Sequence, residues 1–292
     1  MTSASRPVAL FVDGHSLAYR AYHALPETLT APDGTPTNAV VGFWNMLAPT
    51  IARIAPQSGA ICFDSPSATW RHAVDPEYKA TRSPSPSSLP AQLGLIRELA
   101  RSMGVPTFNV PGYEADDLLA TLATRAVDQG FRALILTGDR DVFQLASDHI
   151  TVLWTRKSFS DIVEMTPSAV TDYAGVPPHL YPQYAALRGD SSDNLPGVPR
   201  VGAKTAAKLL GQFGSIDGIY AHLDELTPAI RQAFVENRER IAINLGLTIL
   251  ERNAPNLPHM VETLTVGPPD LAAVAEVCER LGYASLLSRL AA

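Results

Sequence analysis

The sequence predicts an α/β fold: a mostly parallel central sheet with helices on both faces, followed by a helical second half. Three observations predict it. Short, continuous apolar runs in VALFVDG (8–14), AICFDS (60–65) and ALILTGDRD (133–141) have the pattern of strands covered on both faces. Helical patterns alternate with them, as parallel strands joined by crossovers require. From about residue 166 the strand signal fades and helical patterns with loops take over.

Taken in order, VALFVDG and AICFDS are strands that end at Asp13 and Asp64. Residues 66–90, PSATWRHAVDPEYKATRSPSPSSLP, are rich in Pro, Ser and basic residues and read as a long functional excursion beside an acidic edge. LPAQLGLIRELARSMG and ADDLLATLATRAVDQG are helices that close on Gly104 and Gly130. ALILTGDRD is the next strand and ITVLWT (150–155) a fourth. TPSAVTDYAG, AAKLLGQFG, AIRQAFVENRERIAINLGLTIL and DLAAVAEVCERLGYASLLSRL supply the helical half, expected to pack on the sheet rather than to form a separate body. Residues 1–165 and 166–292 are the two expected regions, and no internal repeat is visible.

A chain of 292 residues with 46% apolar and 18% charged residues can bury a substantial core. No apolar stretch is long enough to span a bilayer and MTSASRP is not a leader, so the reading is cytoplasmic with no membrane partner. Cys62 and Cys278 lie far apart in apolar company, as buried thiols rather than a disulfide or metal site. The formal net charge of −6 speaks against a nucleic-acid partner, unless the acids gather around bound divalent ions.

The acids do form groups. Asp13, Asp64, Asp139 and Asp141 all stand at the carboxyl ends of strands, where open α/β sheets bind ligands. YEADD adds Glu114, Asp116 and Asp117, and RGDSSDN adds Asp190 and Asp193. Each group alone reads equally as a turn, a helix cap or a negative first helical turn. Nine carboxylates brought to one edge would repel one another unless cations held them. Oxygen ligands without cysteine or histidine favour Mg²⁺ or Mn²⁺ over zinc. Two such ions would activate water and stabilise the leaving oxygen of a phosphodiester.

In order and spacing, VDGHSLAYRAYHALP, CFDSPSATWRH, YKATR, GYEADDLLATLA, TGDRDVFQL, LRGDSSDNLPGVPRVGAKTAAKLL and LGYASLLSRL resemble the bacterial 5′-nuclease family. That family comprises the flap endonucleases and the 5′→3′ exonuclease domain that begins DNA polymerase I. The resemblance covers nearly the whole chain. No polymerase module fits in 292 residues, so the expectation is a stand-alone nuclease or an excised domain.

The resemblance implies a PIN-like catalytic region over 1–165 and assigns Asp13, Asp64, Glu114, Asp116 and Asp117 to a first metal cluster. It assigns Asp139, Asp141, Asp190 and Asp193 to a second. For Glu114 and Asp116 to serve one ion, Glu114 belongs at or before the helix start. LPGVPRVGAKTAAKLLGQFG resembles the helix-three-turn-helix, expected over about 186–214. There Gly197, Gly202 and Thr205 would sit in or beside a phosphate-binding turn, with Lys204 and Lys208 supplying charge. The turn can carry K⁺ in the family, but Arg200 stands where glycine is usual and puts a K⁺ loop of ordinary shape in doubt.

The 66–90 excursion resembles the helical arch that admits a single-stranded 5′ end. Arg71 would contact DNA there, and Lys79 and Arg82 would steer the scissile phosphate. Its composition leaves open whether it is ordered without DNA. Arg20 and Tyr22 fall where the family places a phosphate contact and an aromatic surface for a base; for Tyr22, core packing is an equal reading. The implied function is a monomeric, structure-specific 5′ nuclease acting on 5′ flaps, 5′ ends and branched junctions of DNA, RNA primer strands included, in replication and repair. Two rivals stay open: a phosphatase using Asp13 as nucleophile, and a branched-DNA-binding protein that does not cut.

Overall fold

The computed structural model of the chain describes residues 6–156 and 161–286; the end of LGYASLLSRL lies outside them. The first half runs β1 (Val8–Asp13), α1 (Gly14–Ala24), α2 (Asn38–Ile54), β2 (Ser58–Cys62), α3 (Trp70–Val74), α4 (Leu89–Ser102), β3 (Thr107–Phe108), α5 (Ala115–Asp128), β4 (Arg132–Thr137), β5 (Ile150–Thr155) and β6 (Ile162–Met165). The second half runs α6 (Pro167–Ala174), α7 (Tyr181–Arg188), α8 (Ala203–Phe213), α9 (Ile216–Ala221), α10 (Pro228–Glu236), α11 (Arg238–Thr248) and α12 (Leu271–Arg280).

The sheet order is β3-β2-β1-β4-β5-β6, parallel except for β6, which pairs antiparallel with β5 at the edge. The chain leaves β1 toward β2 and β3 and then returns to β4 on the other side. β1 and β4 therefore flank the point where the strand order reverses, which is where such sheets open a crevice. Register sets what stands there. Asp13 pairs with Cys62 and Val12 with Leu136, so the ends of β1, β2 and β4 are level. Asp64 and Asp139 each follow a strand end by two residues.

Both faces of the sheet are covered, which explains the unbroken apolar runs. Ala9, Phe11, Ala60, Ala133 and Ile135 face α5 and the helical half. Leu10, Val12, Ile61, Leu134 and Leu136 face α1, α2, α4 and α12. The alanines on the first face are fully or almost fully buried against α5, whose own Ala120, Ala123 and Ala126 are likewise buried. That core continues without a break through Tyr181, Leu187, Leu210 and Phe234 of the helical half.

The two-residue β3 and the edge strand β6 were not anticipated, being too short to carry a pattern. The segment after Asp141, which sequence allows to start a helix, makes only a 3-10 turn over Asp141–Leu145. AIRQAFVENRERIAINLGLTIL breaks into two helices at Asn237.

A hairpin after α7 carries Asp190 and Asp193. Asp190 and Leu195 exchange backbone hydrogen bonds at 2.8 and 2.9 Å, and Val198 N–H donates to Leu187 O at 2.9 Å. The closure needs two glycines back to back. Gly189 has φ +79°, and a Cβ on Gly197 would lie 2.1 Å from Arg188 O. Asn244 of α11 props the hairpin by donating to Pro196 O at 2.8 Å. Gly197→Ala is therefore expected to cost on the order of 3 kcal/mol through overpacking. Gly211→Ala, in the open interior of α8, should gain roughly 0.5–1 kcal/mol. Urea denaturation of both variants checks the contrast.

Candidate active site

The carboxyl ends of β1, β2 and β4 open into a cavity of about 810 Å³ lined by Asp13, Asp64, Glu114, Asp116 and Asp139, with Lys79 and Arg82 opposite. Asp13 caps α1, its Oδ1 accepting Ser16 N–H at 2.9 Å, while Oδ2 accepts the Thr137 hydroxyl at 2.7 Å. Thr137 Oγ1 in turn accepts Asp139 N–H at 3.0 Å, and Asp139 Oδ1 accepts Asp141 N–H at 2.9 Å. TGDRD is thus a hydrogen-bonded turn that also aims carboxylates at the crevice. Asp64 Oδ1 accepts Ala115 N–H at 2.8 Å, at the start of α5. Its own N–H donates to His15 Nδ1 at 2.9 Å, so a neutral His15 carries its proton on Nε2.

Electrostatically these acids oppose one another. Burial, with Asp64 and Asp139 adding, pushes the Asp13 carboxyl up to about 7. Asp116 is pushed well above its ordinary value by burial and by Asp139, Asp13 and Asp64. Asp139 and Asp141 are raised by burial first, with Asp193 and Asp190 contributing to both. Asp116 Oδ1 is buried with no hydrogen-bond partner. Among the described residues, no three of these side chains converge on one point at ligand distance. An orphaned carboxylate oxygen among mutually repelling acids still fits a hard divalent cation.

Glu114 is the residue before α5, in extended conformation (φ −92°, ψ 161°), as serving one ion together with Asp116 requires. Its carboxylate accepts Lys79 Nζ at 2.8 Å and the Tyr78 hydroxyl at 3.1 Å. Asp193 accepts Arg82 at 2.6 Å and lies 2.9 Å from the same Tyr78 hydroxyl. The YKATR stretch is thus ordered and strapped across Glu114 and Asp193. Over 66–90 the structure has only the five-residue α3, turns, and the start of α4. Tyr78, 3% exposed, is the anchor that sequence left unassigned: its apolar setting only emerges in three dimensions.

Three assignments are corrected. Arg71 is 1% exposed and cannot contact DNA: its guanidinium makes a bidentate pair with Asp117 at 2.7 and 2.8 Å and donates to Leu247 O. Asp117, fully buried, is that pair's other half and also accepts Glu251 N–H at 3.0 Å, so it braces α5 rather than facing the cavity. Tyr22 is 6% exposed and belongs to the core under α1 and α4. Tyr19, 49% exposed and ring to ring with His23 at 4.5 Å, lines the cavity instead. Arg20 reaches the cavity wall but is tethered to the backbone oxygen of Arg156.

The turn before α8 leaves Arg200, Gly202, Lys204 and Lys208 exposed, with Thr205 partly so and Gly197 holding the hairpin. Arg200 has φ +68°, following Pro199 in a turn closed by Val201 N–H to Val198 O at 3.0 Å. That position of a type II turn calls for glycine, so Arg200 carries backbone strain. Sequence reasoning also passed over Arg140 and Arg188, which stand 4.0 and 3.5 Å from Asp190. Burial opposes it, but Ser192, Arg188 and Arg140 hold the Asp190 carboxyl below its ordinary value.

An acidic crevice at the strand-order reversal, followed by a helical half with a glycine-rich turn, defines a two-part nuclease architecture. The chain belongs to the 5′-3′ exonuclease family: residues 8–175 match its N-terminal resolvase-like domain and residues 176–272 its C-terminal SAM fold. DNA polymerase I of Mycobacterium tuberculosis (strain ATCC 25618 / H37Rv) is 41% identical over 98% of this chain. The thermostable DNA polymerase I of Thermus aquaticus is 39% identical over 95% of it. The chain spans 32% of the length of each relative. The T5 D15 protein co-crystallized with metal ions superposes with a TM-score of 0.71 at 18% identity, covering 97% of this chain and 99% of that one. The catalytic core of Rad2 in complex with DNA substrate gives 0.64 at 16% identity, covering 97% and 90%. No helix among the described residues is long and apolar enough to cross a membrane.

Two outcomes test the site. Arg71→Ala leaves Asp117 buried and unpaired and is expected to cost about 3–5 kcal/mol in chemical denaturation. Joint replacement, Arg71→Met with Asp117→Leu, should recover most of it. The raised Asp13 carboxyl binds its proton more tightly folded than unfolded, so the stability it contributes is present below pH ~4 and lost as pH rises through about 7. Thermal melts in EDTA should fall between pH 5 and 8, and Asp13→Asn should flatten that fall.

Proposed function

We propose that the chain is a metal-dependent, structure-specific 5′ nuclease that hydrolyses DNA at 5′ flaps, 5′ ends and branched junctions, leaving a 5′-phosphate. The observation that carries this reading is the crevice of Asp13, Asp64, Asp116 and Asp139, with a buried, unpartnered Asp116 oxygen. Asp13, Asp64, Glu114 and Asp116 would hold one Mg²⁺ or Mn²⁺, and Asp139, Asp141, Asp190 and Asp193 a second. Bound there, the ions would supply a hydroxide nucleophile and stabilise the departing 3′ oxygen.

The chain's own residues do the rest. Lys79 and Arg82, strapped to Glu114 and Asp193, lie at the cavity and turn to the scissile phosphate. Tyr19 with His23 offers the aromatic surface for an unpaired base. Lys204, Lys208 and the N–H groups at the start of α8 hold duplex phosphates, beside a turn whose carbonyls would take K⁺. Primer and flap removal by a cytoplasmic monomer follows from this reading, with RNA-containing strands among the substrates. The phosphatase alternative loses support because both Asp13 oxygens are hydrogen-bonded and the residue is 4% exposed.

Asp139→Asn is expected to abolish Mg²⁺-dependent cleavage of a 5′-flap duplex while binding stays within about tenfold, or roughly 1.4 kcal/mol. Cleavage at near wild-type rate by this variant would reject the two-ion assignment. An intact protein that binds flaps and never cuts them would favour the non-catalytic reading.

A further inference from the structure

Each group of carboxylates has one member tied to the strap, Glu114 to Lys79 and Asp193 to Arg82, and the remaining members are balanced in different ways. Asp13 is satisfied by neutral donors, Ser16 N–H and the Thr137 hydroxyl, and Asp116 Oδ1 has no partner at all. Asp190 is fully engaged by contrast. Its Oδ1 accepts Ser192 N–H at 2.8 Å and the Ser192 hydroxyl at 2.6 Å. Its Oδ2 faces the guanidinium of Arg188 at 3.5 Å and that of Arg140 at 4.0 Å. An ion approaching Asp190 must compete with two guanidinium groups that face the same carboxylate oxygen; beside Asp116 the built-in cation is Lys79, which is held by Glu114 at 2.8 Å and leaves Asp116 Oδ1 without a partner.

We propose that Arg140 and Arg188 withhold Asp190 from the second divalent ion until a phosphodiester of bound DNA draws them away. The inference rests on the two-ion nuclease reading and deepens it. A cavity of about 950 Å³ beside Asp190 is the phosphate subsite: Arg140 and Arg188 line it, and of its remaining charged residues Arg240 is paired with Asp75, while Glu77 lies at its edge. Gly189 and Gly197, whose absent side chains would collide with each other's backbone, close the hairpin and so fix the shape of the wall they form. The cavity adjoins the hairpin that leads into the basic start of α8, so it continues the expected duplex path.

Geometry favours the handover. Contacts of 3.5 and 4.0 Å to one carboxylate oxygen are loose, whereas the guanidinium fork matches two phosphate oxygens at once. Arg140, with a side chain 41% exposed, is free to swing outward, and its Nη1 lies 3.5 Å from the Tyr173 hydroxyl. Arg188 lies over the Tyr184 ring at 5.2 Å, a support that does not depend on Asp190. Once the arginines face phosphate, Asp190 is left to the ion. By linkage, the ion then strengthens DNA binding by the factor by which DNA strengthens the ion's.

The test has a metal arm and a DNA arm. Free Mn²⁺ is followed by electron paramagnetic resonance during titration of the DNA-free protein. Wild type should bind one ion tightly and a second at least tenfold more weakly. In Arg140→Gln/Arg188→Gln the second ion should tighten at least tenfold while the first is unchanged. Arg140→Gln alone, at the more exposed side chain, should move part of the way and serves if the double variant does not fold. In EDTA, where no cleavage occurs, anisotropy of a labelled 5′-flap duplex should show the slope of log K against log salt reduced by about 1 for each arginine removed. An unchanged second-ion affinity, or an unchanged salt slope, overturns the proposal. Absence of any Mn²⁺ binding to wild type overturns the two-ion reading itself, and the proposal with it.

Discussion

Mutual repulsion of carboxylates held in a poorly solvated crevice is the constraint that organises this molecule. Level strand ends in the order β2-β1-β4 force Asp13, Asp64 and Asp139 toward one another. Within the sheet only the Thr137 hydroxyl at the end of β4 relieves that, since Asp13 sits on the central strand of the three and is covered from both faces. The remaining relief comes from elsewhere in the chain: hydroxyl and backbone donors, a helix N-terminus, and cationic side chains on the strap and the hairpin. The site is costly to the fold, and on the proposed function bound cations would offset that cost.

Much of this was legible in the sequence because it depends on periodicity. An apolar run that ends at an acid is visible as such, and three such runs in one parallel sheet place their acids at one edge. The expectation that Glu114 precedes its helix was likewise geometric. Other features were invisible for physical reasons. Arg71 in CFDSPSATWRH looks like any arginine of a basic loop; only the fold brings Asp117 and Leu247 O within its reach, 46 and 176 residues away. Tyr19 and Tyr22 differ by less than one helical turn, and which of them faces the core depends on where α4 lies. β3 and β6 are pairing events rather than patterns. Arg200 was noticed as a departure, and its positive φ explains why glycine is the expected residue there.

The Arg71–Asp117 pair also qualifies the idea of a mobile arch. Trp70–Val74 is fixed by a buried ion pair, and Asp75 is held by Arg240. Movement of the strap is thereby confined to the residues between Asp75 and α4, where Tyr78, Lys79 and Arg82 are the only anchored side chains among those that reach the carboxylates.

α11 takes part in both arrangements. It accepts Arg71 through Leu247 O, grips Asp75 through Arg240, and props the Asp190 hairpin through Asn244. Seen mechanically, this one helix is a beam to which the strap over Glu114 and Asp193 and the hairpin before the basic turn are both bolted. Tension along a single strand drawn under the strap would be carried into the same beam that steadies the duplex. On the proposed function, a pull on one arm of a branched substrate would be resisted against its other arm through α11.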